Sequence, residues 1–194
     1  PHWAGVLPLV EATLAPEPDA AHPVGTPTPP PSVVAARLRR APHLEPFLMH
    51  AEVTFSGDAT RLDLPRLLGW LRDESYWATD LTADTLVRAV VGSYTMAAYA
   101  PDGRMVAFGR VVTDSATFAW LADVFVHRDY RGRGISKVLV RNLVDHPRLA
   151  GLRRVMLGTR DAHGLYTPMG FDMVPDGRMM QRTTQAAACS VTER

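Results

Sequence analysis

Apolar positions change period several times along the chain, and each change predicts an element. AEVTFS (51–56) alternates apolar and polar side chains, as a half-buried strand does. RLDLPRLLGWLRDE (61–74) moves to helical spacing. Asp63 is placed as N-cap, Pro65 is tolerated in the first turn, and Leu67, Leu68 and Leu71 form the buried stripe. TADTLVRAVVGS (82–93) repeats the logic, with Thr82 as cap, Leu86, Val87, Val90 and Val91 as stripe and Gly92 as stop. SYTMAAYA (93–100) and RMVAFGRVVTD (104–114) flank a Pro-Asp-Gly turn and predict a hairpin. TFAWLADVFVH (117–127) is a long apolar run, the expected central strand. ISKVLVRNLVDH (135–146) is a helix with Ile135, Val138, Leu139, Asn142 and Leu143 on one face. RRVMLGT (153–159) predicts a strand, AHGLYTPM (162–169) a short helix, and residues 170–183 a closing hairpin. Residues 184–194 read as a flexible tail. The order β-α-α-β-β-β-α-β-α-β-β predicts an α+β fold with a mixed sheet.

Residues 1–50 have a different texture, holding 11 of the 16 prolines. PVGTPTPPP (23–31) excludes helix and central strand, because proline lacks the donor and fixes φ. WAGVLPLV (3–10) suits a short strand, and SVVAARLRR (32–40) a short helix with Ser32 as N-cap. The expected organisation is a Pro-rich arm or linker over 1–50, packing on something else, then a folded domain over 51–183. The first residue is Pro1 rather than Met, so a piece of a longer translated chain is expected.

Composition narrows the function. A net charge of +1 argues against a general nucleic-acid binder. No apolar run approaches ~18 residues, so no membrane partner is expected. The one cysteine, Cys189, forms no internal disulfide and points to a reducing, cytoplasmic setting. No metal-ligand set is read.

HRDYRGRGIS (127–136) carries the chemistry. Arg128, Arg131, Arg133 and nearby Lys137 are cationic, Asp129 offsets one charge, and Gly132 and Gly134 sit between the central strand and the next helix. Glycines let the backbone bend and present its N–H groups, and a helix start adds unpaired donors and partial positive charge. That cradle suits a phosphate or diphosphate, although two glycines after a strand also suit a plain turn. The spacing is neither the Walker loop nor the dinucleotide fingerprint.

VFVHRDYRGRGISKVLV resembles the acetyl-CoA-binding motif of the GNAT family of N-acetyltransferases, Q/R-x-x-G-x-G/A, here Arg131-Gly132-Arg133-Gly134-Ile135-Ser136. Ser136 stands where Gly or Ala is usual, and is still small. The resemblance spans about 52–183. It implies a mostly antiparallel sheet with splayed middle strands and flanking helices. It implies acetyl-CoA as cosubstrate, its diphosphate on the amides of Arg131, Gly132, Arg133, Gly134, Ile135 and Ser136. The pantetheine arm would pair with Val124, Phe125 and Val126. The reaction implied is direct attack of a primary amine, from a small molecule or a protein, on the thioester.

AHGLYTPMGF (162–171) resembles the family's A-x-x-x-Y-x-x-x-G-F segment. Tyr166 is thereby the candidate proton donor to the leaving thiolate, the alternative being a packing role beside the coenzyme. Thr159 holds a position where the family often has Asn, leaving one coenzyme contact open. Asp123 is the candidate base. Period-two alternation puts it on one face with Leu121 and Phe125, and burial would raise its pKa; a structural ion pair with Arg110 competes evenly. His127 and His163 could carry protons or be solvated, and Asp161 is expected to cap the helix at Ala162. The backbone N–H of Val126 is a donor for the developing oxyanion.

The acceptor pocket is expected between the first two helices and the final hairpin. Tyr76 and Trp77 are candidates for lining it, with core packing the competing role, and Trp70 is placed in the core. A homodimer stays open. The first fifty residues also resemble the C-terminal end of pyridoxamine 5′-phosphate oxidase-like flavin-binding barrels, without catalytic residues. That leaves a second reading, a non-catalytic acyl-CoA-binding module regulating a flavin-binding protein.

Overall fold

A computed structural model describes residues 29–182. The ordered elements are α1 (Pro31–Leu38), β1 (Thr54–Ser56), α2 (Leu64–Asp73), α3 (Ala83–Val91), β2 (Tyr94–Tyr99), β3 (Met105–Thr113), β4 (Phe118–Val126), α4 (Ile135–Val144), β5 (Arg154–Met156) and α5 (His163–Tyr166). The five strands form one sheet in the order β1-β2-β3-β4-β5. Every pair is antiparallel except β4–β5, which is parallel. The parallel pair needs a crossover, and α4 supplies it.

Caps were the most legible feature. The Asp63 carboxylate accepts the Arg66 N–H at 3.1 Å, and the Thr82 hydroxyl accepts the Thr85 N–H at 3.3 Å. Ser32 caps nothing: α1 is entered through Pro30 and begins at Pro31, where proline's missing N–H costs nothing. Helices cover both faces of the sheet. Leu67, Trp70, Leu71, Leu86 and Val90 pack with Phe108 and Phe125 on one side. Ile135, Leu139, Val140 and Leu143 pack with Val106, Val111 and Leu121 on the other.

The boundary expected at residue 50 is not a structural one. Residues 1–28 lie outside the described part, with the short strand expected over 3–10. The rest of the expected arm is packed into the domain: Leu38 and Leu44 are buried. Asn142 holds it there. Its side-chain oxygen accepts the N–H groups of Phe47 and Leu48, both at 2.9 Å, and its amide donates to the Leu48 carbonyl at 3.0 Å. His146 adds a bond to the Glu45 carbonyl at 3.0 Å. Asn142 is fully buried, so Asn142→Leu strands three backbone groups at once. Chemical denaturation should show a loss of about 3 kcal/mol or more; a loss under about 1 kcal/mol would show that the segment is held otherwise.

The closing hairpin does not form strands within the described residues. Asp176 and Gly177 do make the expected turn, with Gly177 at φ +78. β5 has only three ladder residues to template a neighbour, and Pro175 lacks a donor just before the turn. Met173 and Met180 are consequently left in solvent.

Tyr99 ties β2 to the 59–61 turn, donating to the Arg61 carbonyl at 3.1 Å. Burial pushes its phenol up to about 12, the neighbouring Arg61 pulling weakly the other way. The unfolded phenol titrates near ~10. The folded state therefore holds the proton more tightly, and this contribution is intact below pH ~10 and lost as pH rises towards 12. Thermal unfolding between pH 9 and 12 should show that decline, and Tyr99→Phe should flatten it. An equal slope in the variant would count against it.

Candidate active site

The loop between β4 and α4 has the geometry that its glycines suggested. Gly132 and Gly134 sit at φ +76 and +82, where a Cβ is strained. Gly134 is the N-cap of α4, and no side chain caps that helix. Among the described residues, none of the five amides from Gly132 to Ser136 has an acceptor. A run of bare donors at the start of a ten-residue helix is an anion cradle. Its rim is shaped by arginines that are themselves anchored. Arg133 donates to Glu52 at 2.7 Å and to the Asp129 carbonyl at 2.8 Å. Arg131 donates from Nε to the Val126 carbonyl at 2.9 Å and covers the Phe125 ring.

From the cradle a cavity of about 390 Å³ runs along Val124, Phe125 and Val126 to Tyr166. It continues into a gap between β4 and β5. The two strands pair at Phe118–Arg154, Ala119–Val155 and Trp120–Met156, and beyond Trp120 they part. Leu121 to Val124 then face Leu157 to Thr159 across a cavity of about 250 Å³. Which backbone groups look into the gap follows from the antiparallel alternation. The His127 N–H bonds the Val106 carbonyl, so Val126, one residue earlier, turns its N–H and carbonyl away from β3 towards the open side. Phe125 turns its own into the β3 ladder. It contributes its ring instead, stacked on Trp70 at 5.1 Å. Of the three residues expected to pair with the pantetheine arm, Phe125 has its backbone groups in the β3 ladder and Val124 and Val126 do not.

Asp123 is where the alternation failed. The register slips between Phe108 and Arg110, and Asp123 sits in the left-handed region at φ +53. This bulge adds a residue to β4, so Leu121 and Phe125 fall on opposite faces of the sheet instead of sharing one with Asp123. The Asp123 carboxylate accepts from Arg110 Nε at 2.6 Å, and Arg110 is steadied by Ser93 Oγ at 3.1 Å. Of the two readings open at this residue, the geometry realises the ion pair. If Asp123 holds the bulge and takes no proton, Asp123→Asn keeps the acid-side limb of the pH profile of kcat/KM, with affinity for the donor falling instead. Loss of one limb of that profile would restore Asp123 as a base.

Tyr166 lines all three cavities of this region and is 8% exposed. Burial pushes its phenol up to about 12, with Tyr76 adding in the same direction, so it keeps its proton at neutral pH. Its ring is set edge-on to Phe171 at 5.8 Å. Asp161 does not cap the short helix: Ala162 is its N-cap and no side chain caps it, while Thr159 Oγ1 accepts the Ala162 N–H at 3.0 Å. Asp161 and Thr159 both line the gap. His163 is exposed. His127 is occupied by its own turn, accepting the Asp129 N–H at 3.4 Å.

Trp70 is core, as placed, but Tyr76 and Trp77 are not: they are 41% and 44% exposed and line the two smaller cavities. The Arg160 N–H donates to the Tyr76 hydroxyl at 2.9 Å, and its guanidinium covers the ring at 3.9 Å. This ties the α2–α3 loop to the β5–α5 loop across the cleft. The residue missed was Trp120. It closes the β4–β5 ladder, its indole lies 3.7 Å from where a Cβ on Gly158 would be, and it borders two cavities. Its apolar setting in the sequence gave no sign of that.

Comparison with known proteins agrees with this fold. The model of the acetyltransferase (GNAT) family matches residues 59–171. A solved structure from Xanthomonas campestris pv. campestris, described as an acetyltransferase of that family, is 40% identical, with a TM-score of 0.66 over 74% of this chain and 99% of that one. An acetyltransferase structure from Deinococcus radiodurans R1, 23% identical with a TM-score of 0.55 over 68% of this chain and 89% of that one, shares the fold. The uncharacterized N-acetyltransferase ycf52 of Pyropia yezoensis is 31% identical over 77 residues, 39% of this chain. The chain spans less than half the length of the curated relatives it matches, 44% and 43%. The chain belongs to the GNAT family of acetyltransferases.

Proposed function

We propose that the chain transfers an acetyl group from acetyl-CoA to a primary amine. The observation that carries this is the unbroken path from five bare amides, through the β4–β5 gap, to one buried phenol. Gly132 to Ser136 would hold the diphosphate, with Arg131 at the rim. Val124 and Val126 would hold the arm, the Val126 N–H being free to polarise a carbonyl in the gap. When bound, the coenzyme supplies an activated acyl thioester. Tyr166, neutral at working pH, would donate a proton to the departing sulfur. An acceptor ammonium of pKa ~10 has to lose its proton before it can attack. With Asp123 engaged by Arg110, that proton would pass to solvent at the open mouth of the cleft. The test is calorimetry with acetyl-CoA beside a thiol-release assay over a panel of amines. Binding with amine-dependent release is the expected result. Binding without release for any amine would favour the regulatory module, and no binding would overturn both.

A further inference from the structure

We propose that His50 is a positioning residue for the coenzyme: its imidazole fixes the peptide group that aims the Gly134 amide into the cradle. This rests on coenzyme binding at the Gly132–Ser136 loop, as read above. His50 belongs to the stretch that the sequence presents as an arm. It opens a tight turn by pairing with Val53, whose side chain is buried in the core. The Glu52 N–H donates to His50 Nδ1 at 3.2 Å, so in the neutral ring the proton sits on Nε2. Nε2 then donates to the Arg133 carbonyl at 2.9 Å.

Peptide geometry carries the effect of that bond to the cradle. Among the described residues no peptide bond is cis. In a planar trans peptide the carbonyl of one residue and the N–H of the next point opposite ways. Holding the Arg133 carbonyl on the arm side therefore directs the Gly134 N–H to the other side. That side is the donor cavity, which Gly132 and Gly134 line and Arg133 does not. α4 leaves the carbonyl free for His50, since Lys137 and Val138 both bond the Gly134 carbonyl instead. A donor on the carbonyl also polarises the same peptide group and makes its N–H a stronger donor. The need for a brace comes from the loop's own residues. Arg133 stands between two glycines, whose wide backbone freedom has to be frozen on binding. It is the residue of that triplet with a side chain to hold, and its guanidinium is tied to Glu52 at 2.7 Å. One turn, residues 50–53, thus grips Arg133 by its carbonyl and by its side chain, and orders the loop before the coenzyme arrives.

The test compares His50→Asn with His50→Gln in the full chain. The asparagine side-chain oxygen still accepts the Glu52 N–H and keeps the turn, but its amide nitrogen stops at the level of Nδ1 and falls short of the Arg133 carbonyl. Glutamine's Nε2 stands about where the imidazole Nε2 does and makes that reach. Calorimetry with acetyl-CoA should give a dissociation constant raised roughly three- to tenfold in His50→Asn, and restored to within about twofold of the parent in His50→Gln. A merely structural role predicts the reverse emphasis, with the turn-keeping asparagine the milder change or both variants weakened alike. Either of those results, or parent-like binding by both variants, would overturn the proposal. Failure of acetyl-CoA to bind the parent, or to move its Gly132–Ser136 amides by NMR, would instead overturn the reading beneath it.

Discussion

Gly134→Val should weaken acetyl-CoA binding by roughly tenfold or more. Gly134 is at φ +82, where a β-branched residue is strained by about 1–2 kcal/mol, and it is the residue from which the free amides of α4 begin. Valine can relieve the strain only by rotating the backbone, which turns those amides out of line. No side chain crowds the site, so the loss comes from the backbone and not from a clash. Gly151 provides the control. It has the same backbone sign, φ +85, equally open surroundings and no place in the three cavities. Gly151→Val should cost similar stability and leave the dissociation constant unchanged. If both variants bind acetyl-CoA like the parent, the cradle is not the binding site.

Tyr166→Phe is expected to lower kcat by on the order of 10²-fold, with the acetyl-CoA dissociation constant nearly unchanged. Phenylalanine keeps the ring beside Phe171 and removes the hydroxyl that faces the converging cavities. The two readings of this residue, donor and packing, separate cleanly. A packing ring predicts full turnover in the variant. Because the phenol is held near 12, loss of the parent's activity at high pH through this group should begin well above ordinary assay conditions.

What could be read from the sequence was whatever depends on near neighbours. Asp63 and Thr82 cap helices through bonds three residues long, and Gly132 and Gly134 take the positive φ that only glycine adopts freely. The strand and helix order followed, because period changes are also local. Errors came where one residue depends on a distant one. Asp123 was placed by strict alternation, and a bulge set by its pairing with β3 broke that alternation. The segment 31–50 looked like a linker because the side chain that receives it, Asn142, lies ninety-four residues from its partner Leu48. Residues 170–182 carry hairpin chemistry, but β5 proved too short to hold a further strand within the described chain. Trp120 lies within an apolar run, and Tyr76 and Trp77 are aromatics between two helices, where lining a slot and closing the core read alike. Only the third dimension separates a cavity wall from a core.

The most direct measurement is a crystal structure with coenzyme A. The diphosphate oxygens should lie within hydrogen-bonding distance of the amides from Gly132 to Ser136. The arm should run between β4 and β5 to end beside Tyr166. A coenzyme bound elsewhere, or a diphosphate held only by side chains with the gap left empty, would contradict the account.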